Sequence, residues 1–262
     1  MRRIMLALQF LTIVPLKNSA VAEETEVAGS SSAFVIVGLL QGLLLTLVDY
    51  SARRVFDHDL VIGIVLLVLA MSSGGFHLDG LADTFDGLAA KGDRKKRLSV
   101  MKDSSVGPIG ATAVFFVLLL KFLALKNLSS FSSSVFYSSL FLMPVFSKWA
   151  MTISMFHGKP AREEGLGRIF IGEIGVKEIS VSTLLFLLSL FAVQAFFYRF
   201  PSPGRYFSCT VSAITLYLFC RLAISFFNKR FGGLTGDMLG SISEGSEIIF
   251  LFMGIAWSRF SI

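Results

Sequence analysis

The sequence predicts an all-α fold: a polytopic integral membrane bundle of about six to seven transmembrane helices, with a short N-terminal interfacial helix in front. Three observations carry this expectation. Of 262 residues, 54% are hydrophobic and only 16% are charged, against roughly 25% charged in an ordinary soluble domain. Mean hydropathy is +0.72. Apolar runs recur at 33–48, 60–76, 108–125, 133–156, 179–198, 207–227 and 246–260, several near the roughly 20 residues that a spanning helix needs. The largest polar gaps, 77–107 and 157–178, are too small to bury a core of their own. Residues 1–262 therefore form a single membrane-embedded domain.

The first segment, "MRRIMLALQFLTIVPL" followed by "NSAVA", has the basic start, short apolar stretch and small-residue site of a signal peptide. Charge asymmetry argues against cleavage. With seven crossings and the N-terminus inside, the cytoplasmic segments hold Arg2, Arg3, Lys17, Lys91, Arg94, Lys95, Lys96, Arg97, Lys102, Lys159, Arg162, Arg168, Lys177, Lys229 and Arg230. The outer segments hold only Arg53, Arg54, Lys126, Arg199, Arg205 and Arg259. Removing the first segment would invert the rest of the chain against the positive-inside rule. Residues 4–16 are instead expected to form an interfacial or re-entrant helix, too short to span and ended by Pro15.

Cys209 and Cys220 fall in one predicted span, 11 positions apart, about 16 Å along a helix at roughly 1.5 Å per residue. They cannot pair and are expected to be inert buried thiols. With three histidines and no CxxC or HExxH spacing, zinc chemistry is not indicated. Any metal should be one that takes oxygen ligands.

The acids supply such ligands. All but Asp49, Asp57 and Asp59 lie in segments assigned to the cytoplasm, so chemistry is expected on that face. In "GGFHLDGLADTFDGL", residues 74–88, Asp79, Asp83 and Asp86 stand at i, i+4 and i+7, which puts three carboxylates on one helical face. Asp237 and Glu244 repeat the i, i+7 relation in "GGLTGDMLGSISEGSE". Like charges on one stripe repel, and the cost rises near a bilayer, so a cation is expected to compensate them. Mg²⁺, or Mn²⁺, suits carboxylate oxygens and commonly completes its shell with substrate phosphates. The competing expectations are a solvated amphipathic helix for the first cluster and simple dipole complementarity for Glu244 and Glu247.

Between these clusters, "DSSVGPIGA", residues 103–111, offers backbone N–H groups and hydroxyls from Ser104, Ser105, Gly107 and Gly110 just before a span beginning near Pro108. A helix N-terminus there adds partial positive charge for an anion; an ordinary membrane-entry turn is the plainer alternative. The run Arg94–Arg97 fits a headgroup anchor. Arg221 lies inside a predicted span, where a charge needs a partner or a route to the surface. Carboxylates for metal and donors for anions together suggest a phosphate-bearing substrate.

The motifs "GGFHLDGLADTFDGL", "VMKDSSVGPIGA" and "TGDMLGSISE", in this order, resemble the cobalamin synthase (adenosylcobinamide-GDP ribazoletransferase) family, as do "ALQFLTIVPL" near the N-terminus and "PAREEGLG" in the middle loop. Departures are small: Ile13–Val14, Lys102 and Ser241 stand where Arg-Leu, Arg and Ala are common. The resemblance implies a Mg²⁺-dependent transferase of the inner membrane, active on the cytoplasmic side. It would join adenosylcobinamide-GDP and α-ribazole, or α-ribazole 5′-phosphate, with release of GMP. A ribose hydroxyl would attack the cobinamide-side phosphorus, leaving positioning and charge neutralisation to the protein. On this basis Asp79, Asp83, Asp86, Asp237 and Glu244 are expected metal ligands, and Asp103 a ligand or orienter. Asp86 is the first candidate general base, with Asp83 and His77 beside it; Arg162 and Arg221 are candidate substrate contacts.

Two other functions compete. A CDP-alcohol-type head-group transferase would begin its signature DGxxAR, yet Asp79–Gly80 continues Leu81–Ala82–Asp83 with no arginine. A cation-coupled transporter would place acids at the midplane of broken helices, whereas these acids sit at span ends. Lipid is an expected partner and nucleic acid is not; a homo-oligomer stays open.

Overall fold

A computed structural model describes residues 2–15, 23–103, 105–198 and 203–260. Twelve α-helices and no strand occur among the described residues. α1 (Arg2–Leu11) is short; α2 (Glu24–Gly29) runs through a 3₁₀ turn at Ser30–Ala33 into α3 (Phe34–Ala52). Next come α4 (His58–Ser72), α5 (Phe76–Ala89), α6 (Arg94–Val100), α7 (Pro108–Ser129) and α8 (Ser133–His157). The last four are α9 (Leu166–Phe170), α10 (Val176–Phe197), α11 (Pro203–Phe231) and α12 (Gly236–Phe260).

Six helical stretches, α2–α3, α7, α8, α10, α11 and α12, are long and apolar enough to cross a membrane; α4 and α5 make up to a seventh, bent by 85° at their junction. The chain is a multi-pass membrane protein. The bend follows from Gly74 and Gly75, both at positive φ (63° and 76°), a conformation that side chains with a Cβ resist. α1 ends one residue short of Thr12 and seats Ala7 and Leu11 in the core, so the interfacial helix expected over 4–16 is a 2–11 helix whose inner face is packed. The stretch 18–22 lies outside the described residues. Both cysteines are free.

α8 is the central helix, with nearly all of its inner two-thirds buried. α3 crosses it through Gly38 and Gly42, where an added Cβ would lie 2.8 Å from the Pro144 carbonyl oxygen and 3.0 Å from the Phe141 carbonyl carbon. Small residues four apart let two backbones touch without a water-driven force. Trp149 stacks on Phe186 of α10 at 4.0 Å, and Phe146 on Phe250 of α12 at 4.1 Å.

The polar motifs all collect at the end of the bundle where α7, α10 and α12 begin. α5 lies against α12 through Gly80 and Gly240: a Cβ on Gly80 would be 2.6 Å from the Asp237 carbonyl, and one on Gly240 3.1 Å from the His77 backbone. The loop after α8 is tied to the α11–α12 connection by a bridge of Pro160 to Leu234, in which Ala161 N–H donates to the Leu234 carbonyl and Leu234 N–H to the Lys159 carbonyl, each at 2.8 Å. Arg94 donates to the Ala161 carbonyl (2.7 Å) and Arg162 to the Leu98 carbonyl (2.8 Å). The basic run is thus partly a set of staples rather than only a headgroup anchor.

α12 corrects one expectation. Its apolar run predicts a start near 246, yet the helix begins at Gly236, because glycine and serine contacts with α5 and an internal ion pair accommodate its polar first turns. Glu244 and Glu247 are therefore inside the helix and buried, not in the entry loop.

Candidate active site

A cleft of about 410 Å³ opens at this end. Its walls come from α1 (Gln9, Phe10, Leu11), the start of α5 (Phe76, His77, Asp79), the loop after α8 (Arg162, Glu164, Gly165), α9 (Gly167, Arg168) and the start of α12 (Thr235, Gly236, Asp237, Leu239, Gly240). α1 is held there by Phe10 packed on Phe34 and Phe170, with centroids 5.9 and 4.5 Å away. Arg162 reaches Asp237 at 3.6 Å. Thr235 donates to the Asp237 carboxylate (3.1 Å) and accepts from Met238 N–H (3.3 Å), so it caps α12 and orients the acid together.

The carboxylates of Asp79 and Asp83 have no hydrogen-bond or ion-pair partner among the described residues. Asp83, one turn beyond Asp79, lies in the repulsive fields of Asp79, Asp237 and Asp86, with Arg162 the one attractive neighbour. The helical spacing thus brings Asp79 and Asp83 to one face, and the Gly80–Gly240 crossing brings Asp237 to them. Two of the predicted clusters converge. Among the described residues, no three His, Cys, Asp or Glu side chains stand close enough to hold a metal unaided. Unpartnered hard oxygen donors at an open cleft nevertheless fit the usual mode of Mg²⁺, one or two carboxylates completed by phosphate oxygens and water.

Asp86 has a different engagement. Gly107 N–H donates to one of its carboxylate oxygens (2.7 Å) and Gly110 N–H to the other (2.8 Å). The N-terminus of α7 is an anion site, as the glycines suggest, but the chain's own carboxylate fills it. A helix begun by Gly107 and Pro108 has no capping side chain, and Asp86 meets that need from α5. This leaves Asp86 poorly placed as general base, and removes Gly107 and Gly110 as substrate donors. Asp103 is exposed; Ser105 donates to it through its N–H (3.1 Å) and hydroxyl (2.8 Å), which holds the carboxyl below the usual range. Ser105 is thus occupied by Asp103, and Ser104 lies outside the described residues.

Glu244 is likewise redirected. It sits about two turns along α12 from Asp237, and accepts from Lys121 of α7 at 2.5 Å; Glu247 accepts from the same lysine at 2.5 Å. The carboxylate expected on the metal is neutralised by the protein, at a depth where an unpaired charge would be costly. Arg221 does not reach the cleft: it is exposed and contacts His157 (3.2 Å) and Tyr217 (3.4 Å). His77 lines the cleft while its Nδ1 lies 3.4 Å from Lys148 Nζ and 3.3 Å from Ser243 Oγ.

Lys121 and Lys148 were missed, although a signal existed. Each interrupts an apolar run, 108–125 or 133–156, and a charge in a span needs a partner. Thr235 and Gln9 carry no such signal; only the fold brings them to the cleft.

Comparison with known proteins gives one answer. The family model described as cobalamin-5-phosphate synthase matches residues 3–255. A protein of Thermodesulfovibrio yellowstonii named adenosylcobinamide-GDP ribazoletransferase is 36% identical over 95% of this chain and 94% of its own length. Proteins with the same name from Geotalea daltonii and Thermoanaerobacter pseudethanolicus are 35% and 31% identical, over 98% of both chains in each case. No solved structure matches. Motif order, the membrane fold, the acidic cleft and this full-length similarity agree: the chain belongs to the cobalamin-5-phosphate synthase family.

Proposed function

We propose that the protein is an adenosylcobinamide-GDP ribazoletransferase: it joins adenosylcobinamide-GDP to α-ribazole or α-ribazole 5′-phosphate and releases GMP. The observation that carries this is the cleft lined by Asp79, Asp237 and Arg162, with Asp83 one turn further along α5 in the fields of all three. A diphosphate brings further negative charge to such a place, so a divalent cation must accompany it. Asp79, Asp83 and Asp237 are the residues from which one or two ligands to Mg²⁺ or Mn²⁺ would come, with phosphate oxygens and water completing the shell. When bound, the cation supplies charge neutralisation for the diphosphate and for the departing GMP.

The chain's own residues do the rest. Arg162 offers its guanidinium to phosphate oxygens; its Nε is buried without a partner, and Nη2 is fixed on the Leu98 carbonyl. A ribose hydroxyl of the acceptor forms the new bond to the cobinamide-side phosphorus as the bridging P–O bond to GMP breaks. Asp83 is the candidate base for the hydroxyl proton, since Asp86 is engaged at both oxygens. His77 faces the cleft as a donor to phosphate. The α1 helix and the loop after α8 wall the cleft and limit water. The basic residues Lys91–Lys102, Lys159, Arg162, Arg168, Lys177, Lys229 and Arg230 lie at this same end, which supports a cytoplasm-facing site in the inner membrane.

The test is direct. Purified protein in detergent, given adenosylcobinamide-GDP, α-ribazole and Mg²⁺, should yield GMP and a corrinoid carrying its lower ligand in equal amounts. Formation of neither product, with folded protein, would refute the assignment.

A further inference from the structure

Beneath the cleft, four charges from three helices are buried together: Lys121 (α7), Lys148 (α8), and Glu244 and Glu247 (α12), each at most 5% exposed. Lys121 bonds both glutamates at 2.5 Å. That leaves two negative charges against one positive, and Lys148, in the field of Glu247 and Glu244, makes the group neutral. A paired cluster without net charge is the least costly arrangement of buried ions, and Lys148 as an ammonium completes it.

An ammonium has three donors and no acceptor. Lys148 Nζ nevertheless points at His77 Nδ1 from 3.4 Å, so that nitrogen must present its lone pair. The second neighbour is compatible with this: Ser147 and Ser243, both fully buried, are joined at 2.5 Å, and a Ser243 hydroxyl that accepts from Ser147 is free to donate to the same Nδ1, 3.3 Å away. Nε2 has no partner among the described residues, and the ring lines the cleft.

We propose that Lys148 is a positioning residue which, with Ser243, holds the His77 ring by Nδ1, so that Nε2 is presented to the cleft as a fixed N–H donor. Two ring nitrogens have distinct roles, and the bond made by one decides what the other offers. Lys148 touches no substrate and acts only through His77. The inference rests on the cleft being the transfer site, but its first test does not.

The first test is ¹⁵N NMR of the ring nitrogens in histidine-labelled full-length protein at neutral pH, with His77→Gln identifying the signal among the three histidines. Wild type should show Nε2 protonated with Nδ1 as the hydrogen-bonded acceptor; a ring protonated on Nδ1 with Nε2 bare would overturn the proposal. The second test is kinetic. Lys148→Met should lower kcat for GMP release by about 10²-fold with little change in KM, the scale of losing one fixed donor. In His77→Gln, whose amide nitrogen can stand near the Nε2 position without choosing a tautomer, the Lys148→Met change should cost no more than about twofold. An equal fractional loss in both backgrounds would mean a merely structural role and defeat the proposal. If Lys148→Met does not fold, Lys148→Met with Glu247→Gln, which leaves Lys121 and Glu244 as a balanced pair, replaces it in the same cycle. A wild-type enzyme that releases no GMP would refute the proposed function and leave the NMR result to decide the tautomer.

Discussion

Two groups of carboxylates lie within a few turns of each other at one end of this bundle, and they differ in where their positive charge comes from. Glu244 and Glu247 are buried and share Lys121 at 2.5 Å, with Lys148 alongside. The Asp79 and Asp83 carboxylates have no ion-pair partner among the described residues, and Asp237 has Arg162 at 3.6 Å beside the Thr235 hydroxyl. Acids deep in a membrane protein must be neutralised by the fold itself, because no solvent can do so. Acids at an open cleft can remain hydrated until something cationic arrives. Asp86 shows a third solution, with two backbone N–H groups and a helix dipole in place of a cation. Acid-rich motifs therefore do not by themselves mark a cation site; the proposed one is made of the acids that the protein leaves uncompensated.

The largest expected effect is on catalysis. Asp79→Asn or Asp83→Asn should reduce GMP release by about 10³-fold or more, the scale of losing a charge-stabilising element, with thermal stability changed by no more than about 0.5 kcal/mol. Kinetics and a melting curve in detergent check both halves, and a variant that melts early would place these acids with the buried group. Next is Lys121→Met, which strands two buried carboxylates and should cost about 3–5 kcal/mol. Adding Glu244→Gln, which leaves Lys148 balanced by Glu247, should recover much of that loss, as read by thermal unfolding. Asp86→Ala removes the cap of α7 and should cost about 1–2 kcal/mol, with activity falling only as far as α5 shifts. Smallest of all, Arg221→Gln should leave kcat and KM within about twofold of wild type, since Arg221 faces away from the cleft.

Much of this was legible in the sequence, for physical reasons. Each apolar run corresponds to a helix because hydrocarbon imposes a length and a composition. The i, i+4 spacing put Asp79 and Asp83 on one face because the helical period leaves no choice. The same rule included Asp86, and failed to see that α7 would capture it, because Gly107 and Gly110 are donors whose acceptor depends on tertiary structure. Hydropathy began α12 ten residues late because it counts Glu244 and Glu247 as polar; the lysine that neutralises them is 123 and 126 positions away. Lys121, Lys148 and Arg221 give the same signal, a cation inside an apolar run. Packing alone makes the first two buried partners and turns the third outward.

The most direct discrimination is the Mg²⁺ concentration giving half-maximal GMP release, measured for wild type, Asp237→Asn and Glu244→Gln, with EDTA reversal as the zero point. If the cleft acids hold the cation, Asp237→Asn should raise that midpoint by about tenfold or more, as losing one ligand from a small set should. Glu244→Gln should lower stability and leave the midpoint where it is. A midpoint that moves in Glu244→Gln and not in Asp237→Asn, or full activity in EDTA, would contradict the division between a compensated interior and an uncompensated cleft.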